Sequence, residues 1–380
     1  MVENLAEADK EPGQVHGKTA DVVKGISSGV PRLISWNITL RCPLKCSHCY
    51  VKAGQNEIAG VLSTDEALVV IDQIRDVGTP IVVLSGGEPL LRTDLCEIAR
   101  YGTEQGLRMV MGTSGYFLDR SMAARMRDAG IRSVAVSIDS ADPAVHDSFR
   151  GISGAWEKAV QAIRNCRDEG IGVQINMTVM RPSAGDVQSV VELGKGLGVT
   201  DYQVFFPVPT GRAQDFSPLD PQEYEEVIRQ VLLNYHNSRV NLRPTCAPQF
   251  RRIAADLGIG NPAWGRGCIA GIGYCRIYAD GNVTPCPYLP VSAGNVRETP
   301  FREIWYHSPV FSVLRDPDRL TGKCGECEYK IICGGCRARA YRGTEAVSHR
   351  WCDGLMQPGE IAGELCADDP WCTYEPGGTP

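Results

Sequence analysis

Several features of membrane, secreted and nucleic-acid-binding proteins are missing from this sequence. No apolar run reaches the ~18 residues that a membrane-spanning helix needs. Residues 1–23 are polar and lack the apolar segment of a signal peptide. The formal net charge is −6, and no basic stripe suggests a nucleic-acid partner. We therefore expect a cytoplasmic protein with no nucleic acid and no membrane among its partners.

Cysteine, by contrast, is abundant, with 16 in a chain of 380 residues. A chain of this length buries roughly 75% of its unfolded surface, so it can form a core without disulfides. In the reducing cytoplasm, tightly spaced cysteines predict metal ligands rather than disulfide pairs. Three of them, Cys42, Cys46 and Cys49, lie in the stretch RCPLKCSHCY. Ten more crowd into residues 268–372, which predicts a boundary near residues 235–265.

Strand-like and helix-like segments alternate between residues 31 and 206. The segment STDEALVVIDQIRDVG starts with a capping box of Ser63 and Glu66 and continues with apolar residues at helical spacing. Short apolar runs such as PIVVLS are typical of buried strands. Six such units predict an α/β fold in which a parallel sheet curls into a partial (β/α)6 TIM-like barrel. The cysteine loop follows the first strand, so it lies at the barrel end where such folds carry their active sites.

The cysteine distribution also divides the chain into predicted regions. We expect a flexible N-terminal segment at 1–28, the barrel at 29–235, a linker at 236–265 and a cysteine-rich domain at 266–380. Cys96 and Cys166 lie on predicted helices, and we interpret them as core residues. Cys246 stands alone in the sequence and receives no role.

Three cysteines on one loop raise the question of the fourth ligand. A structural zinc site has four protein ligands, whereas a four-iron cluster held by three thiolates leaves one iron open. Spacing alone also allows a zinc site completed from elsewhere. The stretch LSGGEPLL, which follows the second predicted strand, supplies a second signal. Gly86 and Gly87 allow the backbone to approach a ligand closely, and Glu88 offers a carboxylate for an ammonium group.

Together, the CxxxCxxC loop and the GGEP stretch resemble the radical S-adenosylmethionine (AdoMet) superfamily. The resemblance implies that the three loop cysteines bind a [4Fe–4S] cluster whose open iron is chelated by AdoMet. Reduction of AdoMet in this family gives a 5'-deoxyadenosyl radical, which abstracts hydrogen from an unactivated carbon. No side chain is assigned a catalytic role. The implied AdoMet-binding residues are Gly86, Gly87, Glu88 and Pro89 for the amino group, His48 near adenine, Ser114 near the cosubstrate, Ser137 and Asp139 at the ribose, Arg150 for the methionyl carboxylate, and Asn176.

The second cysteine block resembles the SPASM extension of radical AdoMet enzymes. The shared features are a Cys-x12-Gly-x4-Cys segment from Cys268 and a CxxC-x5-CxxC segment from Cys324, although the family has three residues in the last gap. Zinc ribbons are the alternative, because CxxC pairs often bind zinc. The resemblance implies one auxiliary [4Fe–4S] cluster on Cys268, Cys275, Cys286 and Cys336, and a second on Cys324, Cys327 and Cys333. We expect Cys372 as the last ligand, rather than Cys352 or Cys366, which gives three clusters in all.

Other segments resemble the haem-biosynthesis branch of these enzymes. They include PVPTGRA at 207–213, TCAP at 245–248 and CGECEYKIICGGCRARAY at 324–341. The branch implies an oxidoreductase that decarboxylates Fe-coproporphyrin III propionates to vinyls, with Arg212 as a possible propionate partner. A low-potential donor such as ferredoxin or flavodoxin would supply electrons. The alternatives are a didecarboxysirohaem deacetylase, a peptide or protein maturase (tungsten-enzyme maturases included) and a non-enzymatic electron carrier.

Overall fold

The computed structural model describes residues 29–215, 219–261, 264–342 and 365–377. The predicted flexible segment 1–28 and Cys352 lie outside these residues. The strands are β1 (Leu33–Thr39), β2 (Ile81–Gly86), β3 (Arg108–Thr113), β4 (Ser133–Ser137), β5 (Gly172–Thr178), β6 (Asp201–Phe205), β7 (Asn241–Thr245), β8 (Tyr274–Ile277), β9 (Asn282–Thr284) and β10 (Gly294–Asn295). The helices are α1 (Thr64–Arg75), α2 (Leu95–Glu104), α3 (Arg120–Asp128), α4 (Pro143–Arg150), α5 (Ala155–Asp168), α6 (Val187–Gly196), α7 (Pro221–Tyr235), α8 (Phe250–Asp256), α9 (Phe301–His307), α10 (Pro309–Arg315), α11 (Gly322–Glu326) and α12 (Arg337–Arg342). None of the described helices is long and apolar enough to cross a membrane.

One sheet of ten strands organises the molecule. Its order is β10-β9-β8-β1-β2-β3-β4-β5-β6-β7, and every pair from β8 to β7 is parallel. Strands β9 and β10 continue the sheet in antiparallel fashion. The predicted α/β class and partial parallel barrel are therefore confirmed, because β1 to β6 alternate with helices in the expected order.

One face of the strands is buried against the helices, whereas the other face, which lines the barrel, is half-buried in most strands and buried in β1. In β1, Ile34, Trp36 and Ile38 pack in the main core, while Asn37 and Thr39 face the inside of the barrel. The alternation follows from the two-residue period of a strand. The inner face therefore carries polar side chains, and the outer face joins the sheet to its helices.

Several helices agree with local signals in the sequence. The side chain of Ser63 caps α1, and Glu66 completes the predicted capping box. On α2, the predicted face with Leu95 and Ile98 is buried. Cys166 is fully buried in the core, as predicted. Helix α4 was not predicted; the Asp142 side chain caps it, and its eight residues are too few to show a clear period.

Residues 236–265, predicted as a linker, contain strand β7 and helix α8 instead. Pro244 lies within β7, and a proline in a run argues against a central strand. The structure accommodates Pro244 because β7 is at the edge of the sheet. Strand β8, from the cysteine-rich region, pairs with β1. The two cysteine regions are therefore joined by one continuous sheet.

Candidate active site and cluster-binding residues

The first cysteine loop folds into a compact turn beyond the end of β1. Cys42 and Cys46 are each 9% exposed, and both pack with Leu44 in a small apolar cluster that Cys49 borders. Burial raises the pKa of the Cys42 thiol to about 12, with smaller contributions from Glu88 and the neighbouring thiols. Thiolates held this close together without a cation would repel one another. The loop therefore fits a positively charged metal group that its three sulfurs can share.

Two residues of the PVPTGRA segment hold this loop in place. Arg212 donates from Nε to the Cys46 carbonyl (2.7 Å) and from Nη1 to the Ala53 carbonyl (2.9 Å). Gly211 packs against the loop so closely that a Cβ atom would lie 2.3 Å from the Cys49 carbonyl oxygen. Arg212 therefore has a structural role in the loop, while its Nη2 has no hydrogen-bond partner among the described residues and its contact with a propionate stays a prediction.

The GGEP stretch joins the ends of the first three strands. Gly86 has a φ of 138°, and a Cβ atom there would lie 2.1 Å from the Thr39 carbonyl oxygen. Gly87 is equally crowded against the Arg41 carbonyl oxygen, and Pro89 starts a short 3-10 turn. Both glycines are required because any side chain would push the strand ends apart.

Glu88 is fully buried between these strand ends. Its carboxylate accepts hydrogen bonds from Thr113 Oγ1 (2.7 Å), from Ser114 N (3.0 Å) and from the Ser114 hydroxyl. Burial raises the pKa of Glu88 while these donors oppose the shift. The structure thus brings the predicted residues Glu88 and Ser114 together beside the cysteine loop.

A buried ion pair connects the loop to β4. Arg150 Nη1 lies 3.8 Å from Cys46 Sγ, and Arg150 Nη2 lies 2.7 Å from Asp139 Oδ2, although its N–H groups are not aligned on that oxygen. Arg150 Nε has no hydrogen-bond partner among the described residues. His48 is half-buried, and desolvation of its ring lowers its pKa to about 4, so it stays neutral. Two predicted AdoMet residues therefore lie near Cys46, with Arg150 closest to the sulfur and Asp139 behind it.

The remaining predicted AdoMet residues lie in one row across the inner face of the sheet. Ser137 pairs with Asn176 in the register of β4 and β5. The row continues with Gln203 on β6 and Arg243 on β7. The outward neighbours of Asn176, Ile175 and Met177, are buried in the core, which places Asn176 on the inside. This row runs away from the cysteine loop along the barrel interior.

The first auxiliary group differs from the predicted set. The thiols of Cys268, Cys286 and Cys336 lie close enough to perturb one another, and Cys246 interacts with all three. Cys275 lies elsewhere. It pairs with Ile34 in the register of β8 and β1 and packs in the apolar core on the helix side of the sheet. The two-residue period of β8 points it away from the other cysteines.

Sequence reasoning missed Cys246, although the TCAP motif that contains it was noticed. Cys246 has a φ of 59°, in a region that non-glycine residues rarely occupy. Its carbonyl accepts hydrogen bonds from Arg339 Nη1 (3.0 Å) and from Tyr224 OH (3.2 Å). Such backbone strain persists only when surrounding contacts hold it, and it is concentrated at functional sites. The positive φ of this lone cysteine is the feature that a sequence cannot reveal.

The four cysteines predicted for the second auxiliary group lie together. Cys324, Cys327, Cys333 and Cys372 line one cavity. Cys366 is buried but does not line this cavity. Its own carbonyl accepts a hydrogen bond from the Thr321 hydroxyl, and the carbonyl of the preceding residue, Leu365, accepts one from Arg337. Among the cysteines of the described tail, the structure therefore favours Cys372 as the fourth ligand.

Buried arginines accompany each cysteine group. The Nε and Nη1 atoms of Arg266 have no hydrogen-bond partner among the described residues, and the guanidinium charge interacts with Cys268 and Cys333. Arg337 Nη2 lies 3.6 Å from Cys324 Sγ. Arg276 interacts with both Cys49 and Cys286 and retains an orphaned Nε. Unpartnered buried donors of this kind fit negatively charged thiolate-ligated clusters.

Comparison with known proteins agrees with this geometry. The model of the radical SAM superfamily matches residues 36–193, and that of the SPASM iron–sulfur cluster-binding domain matches residues 268–328. An AdoMet-dependent heme synthase from Methanosarcina barkeri is 42% identical, over 92% of this chain and 98% of that protein. The chain belongs to the radical SAM superfamily. It is a radical SAM enzyme with a SPASM domain, in the haem-biosynthesis branch, so it uses AdoMet and a [4Fe–4S] cluster with additional clusters in the SPASM domain.

A further sequence relative and a solved structure are also similar to this radical SAM enzyme. A Fe-coproporphyrin III synthase, also from Methanosarcina barkeri, is 30% identical over 90% of this chain and 87% of that protein. The structure of Streptococcus suis SuiB bound to S-adenosylmethionine superposes with a TM-score of 0.71 at 15% identity, covering 93% of this chain and 80% of SuiB. The likeness to SuiB shows the shared fold, and the sequence relatives show the branch.

Proposed function

We propose that this enzyme oxidatively decarboxylates two propionates of Fe-coproporphyrin III to vinyls. The proposal is carried by the heme synthase relative, whose 42% identity extends over nearly the whole of both chains. An identity spread over both cysteine regions is more informative than a shared motif, because function depends on the residues of the whole site and not on the fold alone.

We assign the clusters as follows. Cys42, Cys46 and Cys49 hold the cluster that binds AdoMet, with Gly86–Pro89, His48, Ser114, Ser137, Asp139, Arg150 and Asn176 around the cosubstrate. Cys246, Cys268, Cys286 and Cys336 hold one auxiliary cluster, and Cys324, Cys327, Cys333 and Cys372 hold the other, for three in total. When bound, these groups supply a 5'-deoxyadenosyl radical and centres able to accept an electron.

The reaction balances for each propionate. One hydrogen atom leaves the β-carbon, the bond to the carboxylate breaks, carbon dioxide departs and a carbon–carbon double bond forms. One electron remains and must be removed, and a ferredoxin or flavodoxin supplies the electron that reduces AdoMet. The protein's part is to hold the β-carbon near the loop and to exclude water. The buried residues Glu88, Asp139 and Arg150 keep the loop side of the site rigid.

The test is anaerobic incubation of the reconstituted enzyme with Fe-coproporphyrin III, AdoMet and a reductant. We expect 5'-deoxyadenosine and a porphyrin that has lost two formic-acid equivalents by mass spectrometry. Heat-treated enzyme and omission of AdoMet serve as controls. Turnover of AdoMet with unchanged Fe-coproporphyrin III would contradict the proposal, and a change in didecarboxysirohaem or in a peptide would then identify a deacetylase or a maturase.

A further inference from the structure

Two arginines near the far end of the inner row have no carboxylate partner among the residues that the structure describes. Arg243 lies on the inner face of β7, opposite Gln203, because its neighbours Leu242 and Pro244 are buried on the other face. Arg251, at the start of α8, is near enough that its charge is disfavoured by Arg243. Both guanidiniums are partly buried, and burial lowers the pKa of each.

Aromatic rings flank Arg251, and no carboxylate among the described residues pairs with it. Its guanidinium carbon lies 6.0 Å from the ring centroids of both Phe250 and Trp264. Its Nε is buried and has no hydrogen-bond partner in the described part of the chain. Aromatic contacts of this kind orient a guanidinium and leave its other donors available.

Several other buried arginines in this protein are paired with carboxylates, whereas Arg266, Arg276 and Arg337 lie beside the cysteine groups. Arg150 pairs with Asp139, and Arg339 pairs with Asp369. Arg252, the neighbour of Arg251 on α8, pairs with Glu225 and Asp256. Within the described ranges, no carboxylate lies within ion-pair distance of Arg243 or Arg251. The Cys333 thiol is the one anionic group that favours the charge of Arg251, and no anionic group among the described residues does so for Arg243. Two adjacent, partly desolvated cations with so little compensation are costly, so their position calls for a ligand that carries negative charge.

We propose that Arg243 and Arg251 bind carboxylate groups of the substrate. The inference rests on the proposed function, which supplies a substrate rich in propionates. Guanidinium groups are well suited to carboxylates because they offer paired donors in one plane. The row from Ser137 to Arg243 spans three strand separations, about 14 Å. A substrate bound at Arg243 can therefore extend along the inner face toward the AdoMet residues Asn176 and Ser137.

Equilibrium binding of Fe-coproporphyrin III, followed by its absorbance, tests this assignment without turnover. Arg243→Met and Arg251→Met should each weaken binding by at least about tenfold, the size expected for losing a charge-assisted hydrogen bond. Arg164→Met, on the exposed face of α5, is the matched control and should bind as the wild type does. Arg243→Lys should recover part of the affinity, because it restores the charge. Iron content and circular dichroism establish that each variant is folded.

A second probe separates this inference from the proposed function. The methyl ester of the same porphyrin lacks the carboxylates, so wild type and both Met variants should bind it equally weakly. Wild-type binding of Fe-coproporphyrin III that neither Met variant reduces would overturn the arginine assignment and leave the reaction standing. Absence of wild-type binding would overturn the porphyrin substrate and, with it, the role of both arginines.

Discussion

The two cysteine regions show how the distribution of ligands along a chain decides what its sequence reveals. In the first region, Cys42, Cys46 and Cys49 share one loop, and the structure packs them together beside the tight turn of Gly86 and Gly87. In the second, one group draws on Cys246 and Cys336, which are far apart in sequence and meet through the sheet and α12. The spacing of cysteines within one loop is enough to predict that they share a site, whereas ligands from distant segments come together only through the fold.

The largest expected effect comes from removing the first region's thiols. A Cys42→Ala, Cys46→Ala, Cys49→Ala triple variant should lose AdoMet cleavage completely, because no thiolate remains to hold the cluster that AdoMet binds. Anaerobically reconstituted wild type should contain about twelve irons and the triple variant about eight, since each cluster holds four. Iron analysis and 5'-deoxyadenosine formation measure the two effects. A variant with wild-type iron would show that the loop holds no cluster.

The second prediction addresses the region where spacing and structure disagree. Cys246→Ser should lose about four irons and the spectroscopic signal of one auxiliary cluster, because it removes a ligand. Cys275→Ser, the matched control, should keep its iron, since Cys275 is buried in the core on the other face of β8. Iron analysis and electron paramagnetic resonance of the reduced proteins report both. The reverse pattern would restore the set predicted from the motif.

The reasons for this disagreement are physical. The motif spacing places Cys275 between Cys268 and Cys286, but spacing does not say which way a strand residue points. The pairing of Cys275 with Ile34 decides that direction, and it is a long-range contact. The strand order and helices such as α1 were predictable because capping and hydrophobic period are local. Strand β7 was not predicted because a proline such as Pro244 argues against a strand. The inward-facing position of Arg243 on that strand was therefore not predicted either.

The third prediction tests the other auxiliary group, where spacing and structure agree. Cys372→Ala should reduce iron content by up to four per chain, because Cys372 lines the same cavity as Cys324, Cys327 and Cys333. Cys366→Ala is the control and should keep its iron, because Cys366 does not line that cavity. Equal loss in the two variants would mean that the tail contributes through its fold rather than through one ligand.

The smallest expected effect comes from an ion pair at the surface between the two regions. Glu66 caps α1, and Arg297, from the cysteine-rich region, donates Nε to Glu66 Oε1 at 2.7 Å. The hydrogen bond from Arg297 is the main reason that the pKa of Glu66 falls to about 2, with a further contribution from the Ser63 backbone. Because Glu66 is largely exposed, Glu66→Gln should lower the free energy of unfolding by no more than ~1 kcal/mol at neutral pH.

The pH dependence of this contact follows from the lowered pKa. A carboxylate whose pKa is depressed in the folded state stabilises the protein above its unfolded pKa, roughly 4.3 for glutamate, and loses that contribution as the pH falls toward about 2. The difference in unfolding free energy between wild type and Glu66→Gln should therefore shrink between these values.

Glu157→Gln is the control, since Glu157 occupies the first turn of α5, is exposed and is absent from the ion pairs of the described chain. Denaturant unfolding across this pH range measures both variants. A difference that stays constant down to pH 2 would show that Arg297 and Glu66 do not link the two regions.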